Sequence, residues 1–589
     1  MAGGYDEMTV RSYNRRSNLT MKAAPLLLLA FIATACKPSD AASASATAPA
    51  PYDIVIEGGR VVDGTGNPWL YGDVAVKDGR VARVTPAGML ARARTGRRID
   101  ARGMVVAPGF IDIQAQSVEA LLSGDSRVVS MTTQGVTTMI FGEGESPAPS
   151  NANVRAIYRI TDSSDVRLFR RFEGPHGFGN WLDEMGRHKA SVNFGSFVGA
   201  STVRAYAKGQ SEGAATPAEL DTMRTVVRQA MEDGAFGLAS ALIYPPGSYA
   251  STAELVEEAK AMAPYGGVYI THMRSEGDRL LEAIDEALVI GRDGGVPVEI
   301  YHLKAAGVSN WPKAALAVAK IDSARAAGQD VTADQYAYTA GANDLSSCIA
   351  PSAHADGKLL ERLRDPAQRA RIKADMMRAS DAWESLCLSA TPAGVEVVGF
   401  EVDSLKRYEG KRLDKIAQSM GTDWADALID LTIAENDRLG QLLFIASDSN
   451  VAMQIRQPWM KFATDASGMD PDSAHGMTHP RAYGNYPRIL GRFVREQHVL
   501  TLEDAIRKMT GAVAARLSLR DRGLLREGTY ADIVVFDPAT IIDRATYERP
   551  HQLSVGMHHV FVNGTEVVRD GKPTGAKPGM AVRGPGYGN

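Results

Sequence analysis

Between residues 108 and 520, short apolar runs rich in β-branched and aromatic residues alternate with stretches of helical period. Thr138-Met-Ile-Phe141, residues 190–198, residues 236–240, the two runs that carry Ile270-Thr-His272 and Ile300-Tyr-His302, residues 330–334 and residues 442–448 read as strands. Residues 253–263, 279–291 and 502–509 place apolar side chains three and four positions apart and read as amphipathic helices. Repeated strand-helix units imply a parallel sheet, and about eight of them close a barrel. The two chain ends have a different texture. Residues 52–64 and 72–84 alternate apolar with polar positions and break at Gly-Gly and Asp-Gly, and residues 531–538 and 559–568 repeat the pattern. The expected fold class is α/β: a TIM-like (β/α)8 barrel over residues 108–520, with a small β-sandwich built from both ends, residues 52–107 and 521–589. The interval between Asp334 and Asp448 is too long for one strand-helix unit. A helical insertion over about residues 350–433, rich in Arg, Lys, Ala and Asp, is expected there as a lid over the site.

A chain of 589 residues exceeds what one core usually supports, and 44% hydrophobic with 23% charged residues is ordinary globular composition. The net charge of −4, with both signs interspersed, gives no electrostatic footprint for nucleic acid, so a small-molecule substrate is the expected partner. The three cysteines, Cys36, Cys348 and Cys387, are too few and too scattered to predict a disulfide framework or a structural zinc cluster. Cys36 belongs to a targeting segment. After a polar extension over residues 1–20, Met21 and Lys22 lead into an apolar run over residues 26–35 that ends in small residues before Cys36. Residues 21–36 resemble a bacterial lipoprotein signal, with Met21 as the true start and Cys36 as the lipidated first residue of the mature chain. An ordinary secretory signal is the alternative; a membrane helix would need to span about 30 Å, more than this run provides. Residues 37–51 are Ala, Ser and Pro-rich and read as a flexible tether. The resulting expectation is an exported protein, periplasmic or anchored to the outer membrane, meeting lipid only through Cys36.

Two histidines, His272 and His302, close successive strand runs with a helix between them. In a barrel that position is the C-terminal rim, where the chemistry is kept. A single histidine there would more often cap its strand through a local hydrogen bond. Two at matching positions favour a shared ion, because neutral imidazole is the commonest protein ligand for zinc. Lys304 follows His302 by two positions and so faces the same side of an extended segment, where it could pair with a substrate carboxylate. Arg274 either holds that carboxylate or braces its loop through Glu276 and Asp278.

The chain resembles the amidohydrolase superfamily and, within it, the N-acyl-D-amino-acid deacylases. The resemblance rests on Ala107-Pro-Gly-Phe-Ile-Asp112, Gln134-Gly-Val-Thr-Thr138, Thr271-His-Met-Arg-Ser-Glu-Gly-Asp278, His302-Leu-Lys304, Tyr336-Ala-Tyr-Thr-Ala-Gly341, Ser447-Asp448, and His479-Pro-Arg-Ala-Tyr-Gly-Asn-Tyr-Pro-Arg-Ile-Leu-Gly-Arg492. It implies a zinc-dependent hydrolase acting on carbon-nitrogen bonds other than peptide bonds. The expected reaction is cleavage of a linear amide, in an N-acyl amino acid of either hand, the D series being what the resemblance suggests, or in a peptide-like substrate, by a water that the metal activates. This chain departs from the superfamily at Gln114-Ala-Gln116, where a His-x-His pair is usual. An amide is a poor zinc ligand beside imidazole, so one tightly bound Zn2+ is expected. The family's cysteine ligand on the next strand is also absent; Glu143 in Gly142-Glu-Gly-Glu145 is the expected replacement, with Glu145 as its competitor. The predicted metal ligands are therefore Glu143, His272 and His302. By the same resemblance Asp448 is the general base, although an Asp after a strand also commonly caps the next helix, and Tyr336 binds substrate. The family's serine six positions beyond Tyr336 is Ala342 here. A cyclic-amide hydrolase or dipeptidase on the same scaffold, and a binding protein that has lost catalysis, are the other readings. For His479-Pro-Arg481 a structural and a functional role weigh equally.

Overall fold

The structure is a computed structural model that describes residues 51–380 and 382–588. The extension, the lipoprotein signal with Cys36, and the tether up to residue 50 lie outside the described residues.

Eight parallel strands organise the molecule: β1 (Phe110–Asp112), β2 (Val136–Phe141), β3 (Asn193–Ser196, continued by Val198–Gly199), β4 (Gly237–Ala241), β5 (Val268–His272), β6 (Val298–Ile300), β7 (Val331–Gln335) and β8 (Met460–Phe462). Each pairs in parallel with the next in chain order. The ring closes where Gln116 N donates to Ala466 O (3.0 Å) and Asp465 N to Gln114 O (2.8 Å). Helices Ala200–Lys208, Pro217–Glu232, Thr252–Met262, Leu280–Gly294 and Lys313–Ala326 pack side by side around it. The strands are buried on both faces, which is why they read as continuous apolar runs rather than alternating ones.

The alternating segments at the two ends form one nine-stranded sheet, in which the N-terminal strand Val105–Pro108 pairs antiparallel with Ile533–Phe536 from the far end of the chain. Between β7 and β8 lies an insertion wider and less purely helical than expected. Its strands Ala340–Asp344, Gly440–Phe444, Val395–Val398 and Lys411–Arg412 form a separate antiparallel sheet, packed with short helices around their own core. Residues 442–448, expected as a ring strand, therefore belong to this insertion. The ring strand is instead the three-residue β8, whose central Lys461 hid it from an apolar pattern. That lysine is 3% exposed and tolerated because Glu299 Oε2 lies 2.8 Å from its ammonium.

The expectation for the cysteines is also corrected. Cys348 and Cys387 form a disulfide across 39 residues of sequence, stapling the insertion to itself. Only the fold brings their Cα atoms to 5.4 Å, within disulfide reach.

Candidate active site

The C-terminal ends of the ring strands converge on a cavity of about 870 Å3. β2 delivers Glu143, β5 ends on His272, and β6 is followed by His302. Glu143 reaches in between Gly142 and Gly144, which adopt φ of +109° and +69°. A Cβ on Gly142 would stand 2.4 Å from the Phe197 carbonyl oxygen and one on Gly144 2.6 Å from Ala241 Cβ, so only glycine lets this backbone press against β3 and β4. His302 is itself held at φ +32°, an uncommon conformation for a side-chain-bearing residue. Its backbone N–H donates to Asp334 Oδ1 at 2.9 Å, which helps secure the turn.

Glu143 Oε1 lies 3.0 Å from both His272 Nδ1 and His302 Nε2, and one donor atom from each of the three residues falls within 4.8 Å of the others. Two bonds of ~2.0–2.2 Å to a common ion would span each of the two 3.0 Å separations. The donor set of one carboxylate oxygen and two imidazole nitrogens suits zinc and leaves a position open. His302 is oriented from behind, its Nδ1 lying 2.9 Å from Glu276 Oε1 and 2.8 Å from Lys304 Nζ, which itself donates to Glu276 Oε1 at 2.6 Å. Fixing the far nitrogen in this way aims Nε2 at the centre. Burial opposes ionisation of Glu143, but the two histidines outweigh it and hold the carboxyl well below its usual range. Burial likewise works against Glu276, which Lys304 and both histidines keep ionised. Glu145 lines the same cavity without joining the cluster, and burial pushes its carboxyl up to about 7.

Asp448 does not reach this place. It opens the helix Asp448–Ile455, its side chain is 58% exposed, and it pairs with Arg492 at 3.0 Å. Residues 440–444, just before it, pair inside the insertion and not in the ring. The carboxylate that does lie at the end of β8 is Asp465, a residue missed from sequence, which lines the cavity and pairs with Arg481 at 2.7 Å. Burial raises its pKa while Arg481 opposes the rise. Its one sequence signal was Thr464-Asp-Ala-Ser following a very short apolar stretch. Arg274 is also placed elsewhere: it donates to Glu286, Ser248 O and Ala250 O, bracing the β5 end against the next helix rather than facing substrate or pairing with Glu276 and Asp278. Lys304 is spent on Glu276 and His302, and Tyr336 packs its ring under the Arg481 guanidinium at 4.4 Å and edge-on to His302; neither lines the cavity. Arg481 does, with its Nε making no hydrogen bond among the described residues. Tyr244, unforeseen from sequence, also lines it: its hydroxyl accepts from Asn343 Nδ2 at 2.9 Å and so retains its own proton to donate, since burial keeps the phenol far from ionising.

Residues 438–569 match the amidohydrolase family. The chain is 33% identical over 534 residues to a D-aminoacylase of Alcaligenes xylosoxydans xylosoxydans, covering 90% of this chain and 98% of that protein. Among solved structures it is similar to an N-acyl-D-glutamate deacylase from Bordetella bronchiseptica complexed with zinc and a phosphonate mimic of the tetrahedral intermediate, at TM-score 0.72 and 29% identity over 90% of this chain and 99% of that one. It is similar too to a D-aminoacylase solved to define the role of its binuclear metal centre, with one-metal activation and second-metal attenuation, at TM-score 0.73 and 30% identity over 90% of this chain and all of the other.

Proposed function

The chain belongs to the D-aminoacylase-like family of amidohydrolases, and from that premise we propose that it hydrolyses the linear amide of small N-acyl amino acids, with the D series as preferred substrates. The observation that carries this reading is the meeting of Glu143 Oε1, His272 Nδ1 and His302 Nε2 in one cavity that Asp465 also lines. These three ligands would hold one zinc ion. When bound, such an ion supplies Lewis acidity and lowers the pKa of water from ~15.7 towards ~7.

The residues of the chain do the rest. Asp465 takes the proton of the attacking water on its carboxylate and returns it to the departing amine nitrogen. Tyr244 presents its hydroxyl proton to the substrate carbonyl. Arg481 lines the cavity and holds Asp465 through its guanidinium, placing a positive charge beside the site where a substrate carboxylate would bind. The insertion walls the cavity through Ser346, Val398 and Leu442 and so limits its water. The ring of parallel strands and its outer helices support the (β/α)8 barrel, and the sheet shared by both ends supports the sandwich beside it. The Cys348–Cys387 disulfide suits an oxidising compartment and supports export, with Cys36 as the lipid anchor.

The test is amine release from a panel of N-acyl-D-amino acids, N-acyl-L-amino acids and dipeptides, before and after metal removal by a chelator. Turnover of N-acyl-D substrates that chelation stops and zinc restores is the expected result; turnover of dipeptides alone, or turnover indifferent to chelation, refutes it.

A further inference from the structure

The pair Gln114 and Gln116 stands where the resemblance places metal-binding histidines, and the structure gives it another occupation. Gln114 Nε2 donates to Glu143 Oε2 at 2.6 Å, and Gln116 Nε2 donates to the same oxygen at 2.7 Å. The two oxygens of Glu143 are thus divided. Oε1 faces His272 and His302, while Oε2 is capped by two amide N–H groups. Gln116 Nε2 also reaches Asp465 Oδ1 at 3.2 Å, so a single amide nitrogen spans the carboxylate that would bind metal and the one that would carry the proton.

We propose that Gln114 and Gln116 are positioning residues that replace a second cation: their amides cap the outer oxygen of Glu143 and tie it to Asp465, so that the centre takes one divalent ion only. A carboxylate bridges two ions when both of its oxygens are free, and here one is not. The amides present hydrogens to Oε2, and a donor N–H cannot also be a ligand. Gln114 is 1% exposed, and its own Oε1 has no hydrogen-bond partner among the described residues. Flipping that amide would bring two oxygens together, so its nitrogen stays on Glu143 even though its oxygen goes unsatisfied. A cation between Glu143 and Asp465 would neutralise both carboxylates. A neutral amide links them while leaving the charge on Asp465 for proton transfer.

This proposal rests on the hydrolase reading above, and it is tested by stoichiometry. The full chain is stripped of metal and titrated with Co2+, followed by isothermal titration calorimetry and by the visible absorption of the bound ion. Wild type is expected to saturate at one equivalent. Gln114→His combined with Gln116→His should add a second, weaker equivalent with a changed cobalt spectrum. Gln116→Ala, at a position that opens onto the cavity, should retain the fold and weaken the first ion by about 10–100-fold, the usual effect of losing a group that orients a ligand. Two equivalents in the wild type, or unchanged affinity in Gln116→Ala, would overturn the proposal and leave the hydrolase reading standing. A wild type that binds no ion would overturn both.

Discussion

Replacing Asp465 with Asn while independently replacing Asp448 with Asn decides which carboxylate moves the proton. Asp465 is nearly buried, 2.7 Å from the Arg481 guanidinium and 3.2 Å from Gln116 Nε2. Asn preserves its shape and one acceptor oxygen for Gln116, so the change removes the charge and the proton-accepting capacity more than the packing. Removing one charge of a buried pair costs ~3–5 kcal/mol, and because Asn leaves the buried Arg481 guanidinium without its counter-charge, Asp465→Asn is expected within that range, which the melting temperature reports. General acid-base assistance is worth ~10²–10⁴-fold in rate, or about 3–5 kcal/mol of barrier. The expected result is therefore a fall in kcat of at least ~100-fold, with the zinc content unchanged because Asp465 touches the ligand set only through Gln116. Asp448, 58% exposed and paired with Arg492, should behave as a surface ion pair worth ~0–1 kcal/mol. Its Asn variant should keep kcat within about twofold, since it contacts nothing in the cavity. Initial rates on an N-acyl-D-amino acid, with zinc content by elemental analysis and melting temperature as controls, make the comparison. Loss of activity in Asp448→Asn with retention in Asp465→Asn would refute the assignment of β8 as the catalytic strand.

Three further outcomes follow from the same geometry. Glu143→Ala should strip the ion from the purified protein whereas Glu145→Ala should retain it, because Glu145 shares the cavity but not the cluster; equal zinc contents would count against the ligand set. Reducing Cys348–Cys387, or replacing both residues by Ser, frees a loop spanning 39 residues, whose closure is worth about 4 kcal/mol at 25 °C in the chain-entropy account. Calorimetry should show a lower melting temperature in the double variant and no further drop when reductant is added. Cys36→Ala should move the expressed protein from the membrane fraction to the soluble exported fraction, read by fractionation and immunoblot; persistence in the membrane fraction would remove the lipid anchor from the account.

The histidines were legible because both sit at the ends of apolar runs long enough to be recognised as strands, and Glu143 because its flanking glycines mark a close backbone approach. Helix Leu502–Met509 has the bounds its period predicts, and Leu280–Gly294 begins one residue from its predicted start, since a 3.6-residue period is a local property. Asp465 was missed for the opposite reason. β8 is three residues long with a lysine at its centre, and the groups that make Lys461 tolerable there, Glu299 and Thr332, lie 162 and 129 residues away in sequence. Residues 442–448 offer a better apolar pattern, yet Gly440–Phe444 pairs antiparallel with Ala340–Asp344 inside the insertion.

What the amino-acid sequence determined by itself was therefore the alternation of strands and helices, the common character of the two chain ends, and the chemical types gathered at the strand ends. Tertiary structure alone decided which apolar segment closes the ring, which Asp stands beside the metal ligands, that Lys304 and Arg274 are held by Glu276 and Glu286, and that Cys348 meets Cys387. Local pattern records how much apolar surface a segment offers, whereas its partner is chosen by charge pairing and hydrogen bonding between groups that only folding brings together.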